Sequence, residues 1–212
     1  MALRGTRKKA ADKETYHHGD LRQALLDASL RLIDEEGFGA LSLREVARRA
    51  GVTHAAPYRH FADKEALLAA VAEEGFRAMT ARMNEEMARH SAPLDRLSAC
   101  GVAYVVFAVR HAAHFRVMFG PHFTQPLMPT GGDTDAFGVL VGALADAQRA
   151  GDLPRGEEPR RLGLTCWSLV HGLASLWADR RLDPREFPEG VEALAWEQTR
   201  WLIRGLARVP VT

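Results

Sequence analysis

Within the segment THAAPYRH, residues 53–60, five side chains can hydrogen-bond a phosphate or a base edge: Thr53, His54, Tyr58, Arg59 and His60. That is the chemistry of nucleic-acid contact rather than of catalysis. His111 and His114 stand i, i+3, a spacing that can hold a metal, but His122 lies beyond a break and no carboxylate occurs between 96 and 132. No metal site is expected. Cys100 and Cys166 are two thiols in apolar stretches, too few for a disulfide framework or a zinc site, and read as small buried hydrophobes. The chain has no HExxH, GxSxG, phosphate-binding loop or Cys-His pair, so it offers no nucleophile or base. No enzyme activity and no cofactor are expected.

Helical periodicity supplies the elements that would position these side chains. Leu21, Leu25, Ala28 and Leu32 recur at i, i+4 and i+7, with Asp20 and Gln23 placed as a capping box and Gly37 as a left-handed cap. Ser42 with Glu45 forms a second capping box, opening a short helix that stops at Gly51. Thr53 would cap a helix over 54–60, and Asp63 one running to about His90. Val46, Ala47 and Ala50 would pack the 42–50 helix on the 21–36 helix, so that the next one swings outward. Capped helix, glycine turn and second short helix make a helix-turn-helix pattern.

Beyond it, Pro93 suits the first turn of another helix, whose Leu94 and Leu97 extend a 3.6 period into the Val-rich run 102–109. Helices over 112–119, 134–150, 157–180 and 188–207 follow, with a Pro- and Gly-rich loop at 120–133. The fold class is all-α with about nine helices.

Composition agrees. The 212 residues are 47% apolar and 26% charged, which excludes a disordered chain. Net charge is +1, but Arg4, Arg7, Lys8 and Lys9 give the first residues a basic arm without an acid, open to a polyanion or to solvent alone. No apolar run follows it, so it is no signal peptide. The longest uncharged stretch, 163–178 with Leu162 before it, falls short of the roughly 20 residues of a membrane span. A cytoplasmic protein with no membrane partner is expected.

The run from His18 to Leu67, centred on SLREVARRAGVTHAAPYRHFADKEALL, resembles the DNA-binding domain of tetracycline-repressor-type (TetR) regulators. YHHGDLR near the start and CWSLVHGLASL, with Trp167, His171 and Gly172, resemble a subgroup whose ligand domain carries a Trp…His-Gly signature. The resemblance implies a basic flexible arm at 1–15, a helix-turn-helix domain at 16–64 and a ligand-binding and dimerisation domain at 65–212. It implies that Tyr58, His60 and Lys64 grip phosphates with help from Ser42, Arg44 and Thr53. His54 and Ala55 would face base edges, Arg59 would reach guanine or phosphate, and Phe61 would pack the core. Pro57 departs from the family, whose residue before the tyrosine is usually a branched aliphatic. Ala55 replaces a frequent glycine.

The implied function is a homodimeric, ligand-responsive regulator, a repressor, on a palindromic double-stranded DNA operator. The alternatives are a constitutive regulator without an effector and a helical ligand-binding or adaptor protein. Helix 157–180 is apolar nearly all round over 163–178, so a partner copy is its natural cover, with helix 188–207 supplying a second stripe through Leu194 and Trp201. Phe107, Phe115, Met118 and Phe119 gather aromatics and a methionine before the Pro-rich loop; ordinary core and an effector pocket both fit them. Trp167 and His171 share a face, as do Phe115 and Phe119. Where those faces meet, an apolar cavity with one polar handle would receive an apolar or amphipathic small molecule.

Overall fold

The computed structural model of the protein describes residues 18–120 and 135–207. The basic arm at 1–15 and nearly all of the 120–133 loop, His122 and Phe123 included, lie outside the described residues. What is described is helical, with no strand among these residues: α1 His18–Glu36, α2 Leu43–Arg49, α3 Lys64–Met87, α4 Pro93–Arg110, α5 Ala112–Phe119, α6 Ala136–Ala150, α7 Pro159–Ala178 and α8 Gly190–Ala207. Two single 3-10 turns, Phe38–Ala40 and Pro57–Arg59, complete it.

All nine expected helical segments are present, but one is not an α-helix. The 54–60 segment is a single 3-10 turn. Pro57 has no N–H with which to continue an α-helix begun at 54, so the regular ladder cannot form across it.

The N-terminal bundle follows its apolar spacing. Leu25, Leu26, Ala28, Leu32 and Ile33 of α1 are buried against Val46 and Ala47 of α2 and Leu67 and Val71 of α3. Burying each Leu or Val contributes about 1.5–3 kcal/mol against conformational entropy. Two expected caps are corrected. α1 already runs from His18, so Asp20 lies inside it; the Gln23 amide donates to Asp27 Oδ1 at 3.0 Å and Glu74 Oε2 at 3.1 Å instead of reaching back. Gly37 has φ 80° but ψ 178°, so the chain leaves α1 extended rather than through a left-handed cap. The Asp63 cap is present, with Oδ1 accepting the Ala66 N–H at 2.8 Å, and contributes about 1 kcal/mol.

α4 is the axis of the C-terminal part. Leu97 through Ala108 are buried without interruption, because α3, α5, α6, α7 and α8 all pack on it. A helix sheltered on every side needs no polar face, which is why the Val-rich run belongs to a helix. α7 is different. Only Gly163, Cys166, Val170 and Ala174 are buried, while Leu164 is 52% exposed and Leu176 46%. Leu194 of α8 is buried in the subunit's own core, while Trp201 is 57% exposed. No single described helix is long and apolar enough to cross a membrane.

Candidate nucleic-acid interface and apolar cavity

The helix-turn-helix is built from α2 outward. Ser42 Oγ accepts the Glu45 N–H at 3.2 Å, half of the expected capping box. The returning half is missing because the Glu45 carboxylate takes the Arg48 guanidinium, Nε to Oε2 at 2.9 Å, which holds its pKa below the ordinary carboxylate range. Arg49 pairs with Glu35 and Glu36, pinning the end of α2 to the end of α1. Two of the α2 arginines are thus committed to carboxylates. Arg44 is exposed and makes no hydrogen bond or ion pair among the described residues.

Gly51 turns the chain at φ 70°, a left-handed conformation that favours glycine, and the Val52 N–H bonds the Ala47 carbonyl at 3.0 Å. Thr53 contributes its carbonyl, to the Ala56 N–H at 3.0 Å; the expected hydroxyl cap is not made. Pro57 is buried and its carbonyl takes the N–H groups of His60 and Phe61, both at 2.9 Å. With Pro57 and Phe61 turned inward, Thr53, His54, Ala55, Tyr58 and Arg59 are exposed on one projecting turn. His60 is partly buried beside Phe61, and so is less accessible than its neighbours. Lys64 is exposed; its Nζ donates to the Phe38 carbonyl at 3.1 Å, which holds the ammonium beside the α1–α2 connection.

An apolar cavity of about 40 Å³ lies against α4, lined among others by Phe76, Tyr104, Phe119, Phe137, Trp167 and Leu202. The anticipated meeting of helix faces takes place. Phe119 lies 6.2 Å from Trp167 and 4.8 Å from His171, and Phe115 lies 5.3 Å from His171, centroid to centroid. Of the six residues read as pocket wall, only Phe119 and Trp167 line the cavity. Phe107 instead pairs with His111, rings 4.7 Å apart, and Met118 is buried against α3. Phe115 and His171 back the lining rings, since only the last turn of α5 reaches the cavity.

Tyr104, which no motif singled out, explains why His171 is not the open handle. Trp167 Nε1–H donates to Tyr104 Oη at 3.1 Å, and Tyr104 Oη lies 2.8 Å from His171 Nδ1. Burial lowers the His171 pKa and raises that of Tyr104, so the imidazole is neutral and the phenol protonated. The phenol donates to Nδ1, leaving the imidazole proton on Nε2. The sole sequence signal was one hydroxyl in the otherwise apolar run 102–109.

Cys100 and Cys166 also line the cavity, and burial pushes their thiols up to about 12 and about 11. His114 Nε2 lies 3.3 Å from Glu74 Oε1 and its ring 6.0 Å from that of His111. No group of three possible ligands gathers there or elsewhere among the described residues.

A projecting turn of hydrogen-bonding side chains on a three-helix head, joined to an all-α body with an apolar cavity, defines a helix-turn-helix protein of the regulator type. Residues 25–71 match the model of bacterial regulatory proteins of the tetR family, and residues 97–200 match the tetracyclin repressor-like C-terminal domain. The chain belongs to the TetR family. It is 44% identical over 63 residues, 30% of its length, to the HTH-type transcriptional regulator AcrR of Shigella flexneri, and that match covers 29% of the relative. A protein of unknown function from Rhodococcus sp. RHA1 has a solved structure with TM-score 0.77 and 34% identity, covering 92% of this chain and 100% of that one. The structure of the transcriptional regulator FadR from Bacillus subtilis, in complex with stearoyl-CoA, gives TM-score 0.70 at 17% identity over 86% of this chain and 98% of that one. At that identity the likeness is one of fold.

Proposed function

We propose that the protein is a homodimeric transcriptional regulator, a repressor, that binds a palindromic operator and lets go when a small apolar molecule enters the C-terminal cavity. The observation that carries this reading is the exposed turn. Thr53, His54, Ala55, Tyr58 and Arg59 face solvent together while Pro57 and Phe61 anchor the turn from behind. Such a turn presents base-reading and phosphate-gripping groups to a major groove. His54 and Ala55 would read base edges. Tyr58, His60 and Lys64 would hold phosphates, helped by Ser42, Arg44 and Thr53, with Arg59 on guanine or phosphate.

Two copies would pair through α7 and α8, whose Leu164, Leu176 and Trp201 are large apolar side chains open to solvent. The effector reading draws support from FadR, whose structure holds stearoyl-CoA. It draws more from α5. Phe119 at its end walls the cavity, His114 at its middle meets Glu74 of α3, and Arg116 lies 3.8 Å from Asp34 of α1. A ligand that displaces Phe119 disturbs the helix that holds the DNA-binding head, and needs only higher affinity for the displaced state. Two recognition turns that no longer match major grooves about 34 Å apart would then leave the operator.

The test is selection of bound fragments from sheared genomic DNA at several salt concentrations. A recurrent palindrome with half-sites one helical turn apart is the expected result. Binding that shows no sequence preference at any salt removes the regulator reading and leaves a helical adaptor.

A further inference from the structure

The cavity also limits what can occupy it. Resting on the effector reading above, we infer that its occupant is an uncharged, hydrocarbon-like molecule with no group that must be hydrogen-bonded, rather than a carboxylate or an acyl-coenzyme A.

The lining groups carry the argument. Among the described residues, no carboxylate, lysine, arginine or histidine lines the cavity. Its polar side-chain atoms are already engaged: Trp167 Nε1 with Tyr104, Tyr104 Oη with His171, and Thr199 Oγ1 with the Ala195 carbonyl at 2.8 Å. The two cysteine thiols stay protonated and are weak partners at best. A carboxylate or phosphate entering here would lose its hydration and meet no uncommitted side-chain donor among the described residues. Arg160 stacks on the Phe137 ring at 5.2 Å but is itself exposed, so it keeps its charge in water.

Size sets a second condition. About 40 Å³ holds a few water-sized spheres, whereas an apolar cavity that admits benzene measures about 150 Å³. A wall must yield. It is not the floor, where α4, α7 and α8 cross so tightly that a Cβ on Gly101 would lie 2.9 Å from Thr199 Cγ2 and 3.1 Å from Val170 Cγ1. Phe76, Phe119, Trp167 and Leu202 are the large lining side chains only partly buried, and Phe119, at the end of α5, is the one whose movement this reading requires. The same displacement that admits the ligand would therefore act on the helix tied to α1.

Toluene and benzoate share a ring and differ in charge, so they make a matched pair of probes, with stearoyl-CoA as the third. Each is titrated against the full chain, following thermal midpoint and tryptophan emission, and against the operator complex. Toluene is expected to raise the midpoint and change the emission, with the emission change lost in Trp167→Phe. Benzoate and stearoyl-CoA should do neither. Leu140→Ala, which enlarges the cavity, should tighten toluene binding about tenfold. Benzoate or stearoyl-CoA binding in place of toluene overturns the inference while leaving an effector-responsive regulator intact. Toluene binding without release of operator upholds the inference and defeats the effector reading. Failure of toluene to bind the parent chain at all overturns the inference.

Discussion

Gly75 of α3 and Met118 of α5 are in such close contact that a Cβ added to Gly75 would lie 2.5 Å from the Met118 sulfur and 3.2 Å from His114 Cδ2. The glycine lets α5 sit directly on α3. The neighbouring Glu74 carboxylate then reaches His114 with one oxygen and Gln23 of α1 with the other. One point on α3 thus gathers the helix that walls the cavity and the first helix of the DNA-binding head.

That contact predicts a change of sign. In an open helix interior, Gly→Ala stabilises by about 1 kcal/mol, while overpacking a closed site costs about 1–3 kcal/mol. Gly75→Ala should therefore destabilise the parent by about 1 kcal/mol, and stabilise a Met118→Ala background by a similar amount. Denaturant unfolding of the four proteins of the cycle measures both. A stabilised Gly75→Ala parent would show that the site has slack.

The arginines of α2 should differ in their service to DNA. Arg44 has no ion pair among the described residues, whereas Arg48 is already paired with Glu45. Arg44→Ala, like Lys64→Ala, is expected to weaken binding to all sequences alike and to lower the salt slope by about one unit. Arg48→Ala should change the slope much less. Filter binding on operator and random DNA over a salt series separates them, and a base-preference change in Lys64→Ala would refute its phosphate role.

What the residues disclosed and what they hid have physical causes. α-Helices persist where a local period is enough, so α4 and α5 lie almost at their expected bounds. The 54–60 segment carried its own contradiction in Pro57, whose missing N–H outweighed the apparent cap at Thr53. The exposed row Thr53, His54, Tyr58 and Arg59 was legible because it is contiguous. The cavity was only half legible. Phe119 and Trp167 come from helices far apart in sequence, and Tyr104 occupies the histidine read as a handle. Spacing along one helix shows which side chains share a face, not which neighbour satisfies them.

Acid should loosen the aromatic cluster. Burial lowers the His171 pKa, so the folded chain resists a proton that the unfolded chain accepts. Stability is therefore unaffected well above the unfolded value of about 6.5, and falls as pH drops through it toward the folded value. Protonated Nδ1 also cannot accept the Tyr104 hydroxyl. His111, likewise lowered by burial first, adds a loss of the same sign. His171→Gln should flatten the profile between pH 7 and 5 without abolishing it, and an unchanged profile in thermal melts would show that His171 titrates normally.

The last prediction separates the two faces of α7. Ala174 is fully buried inside the subunit, while Leu176, two residues on, lies at the surface, 46% exposed, as does Trp201 of α8 at 57%. A Cβ on Gly172 or on Gly205 would meet nothing within 4 Å, so the backbones of both helices are open to close approach there. In an isolated subunit Leu176→Glu is a surface change and should shift stability by no more than about 0.5 kcal/mol. In a dimer closed through that surface, the same carboxylate would be desolvated without a partner, at a cost of several kcal/mol. Sedimentation equilibrium should accordingly show a dimeric parent and a folded, monomeric Leu176→Glu. Ala174→Glu should lose the fold itself, because its charge enters the subunit core whatever the oligomeric state. A monomeric parent, or a Leu176→Glu chain that still dimerises, would place the pairing surface elsewhere or remove it. Loss of operator affinity in the folded Leu176→Glu monomer would then tie the pairing of two recognition turns to the reading of a palindrome.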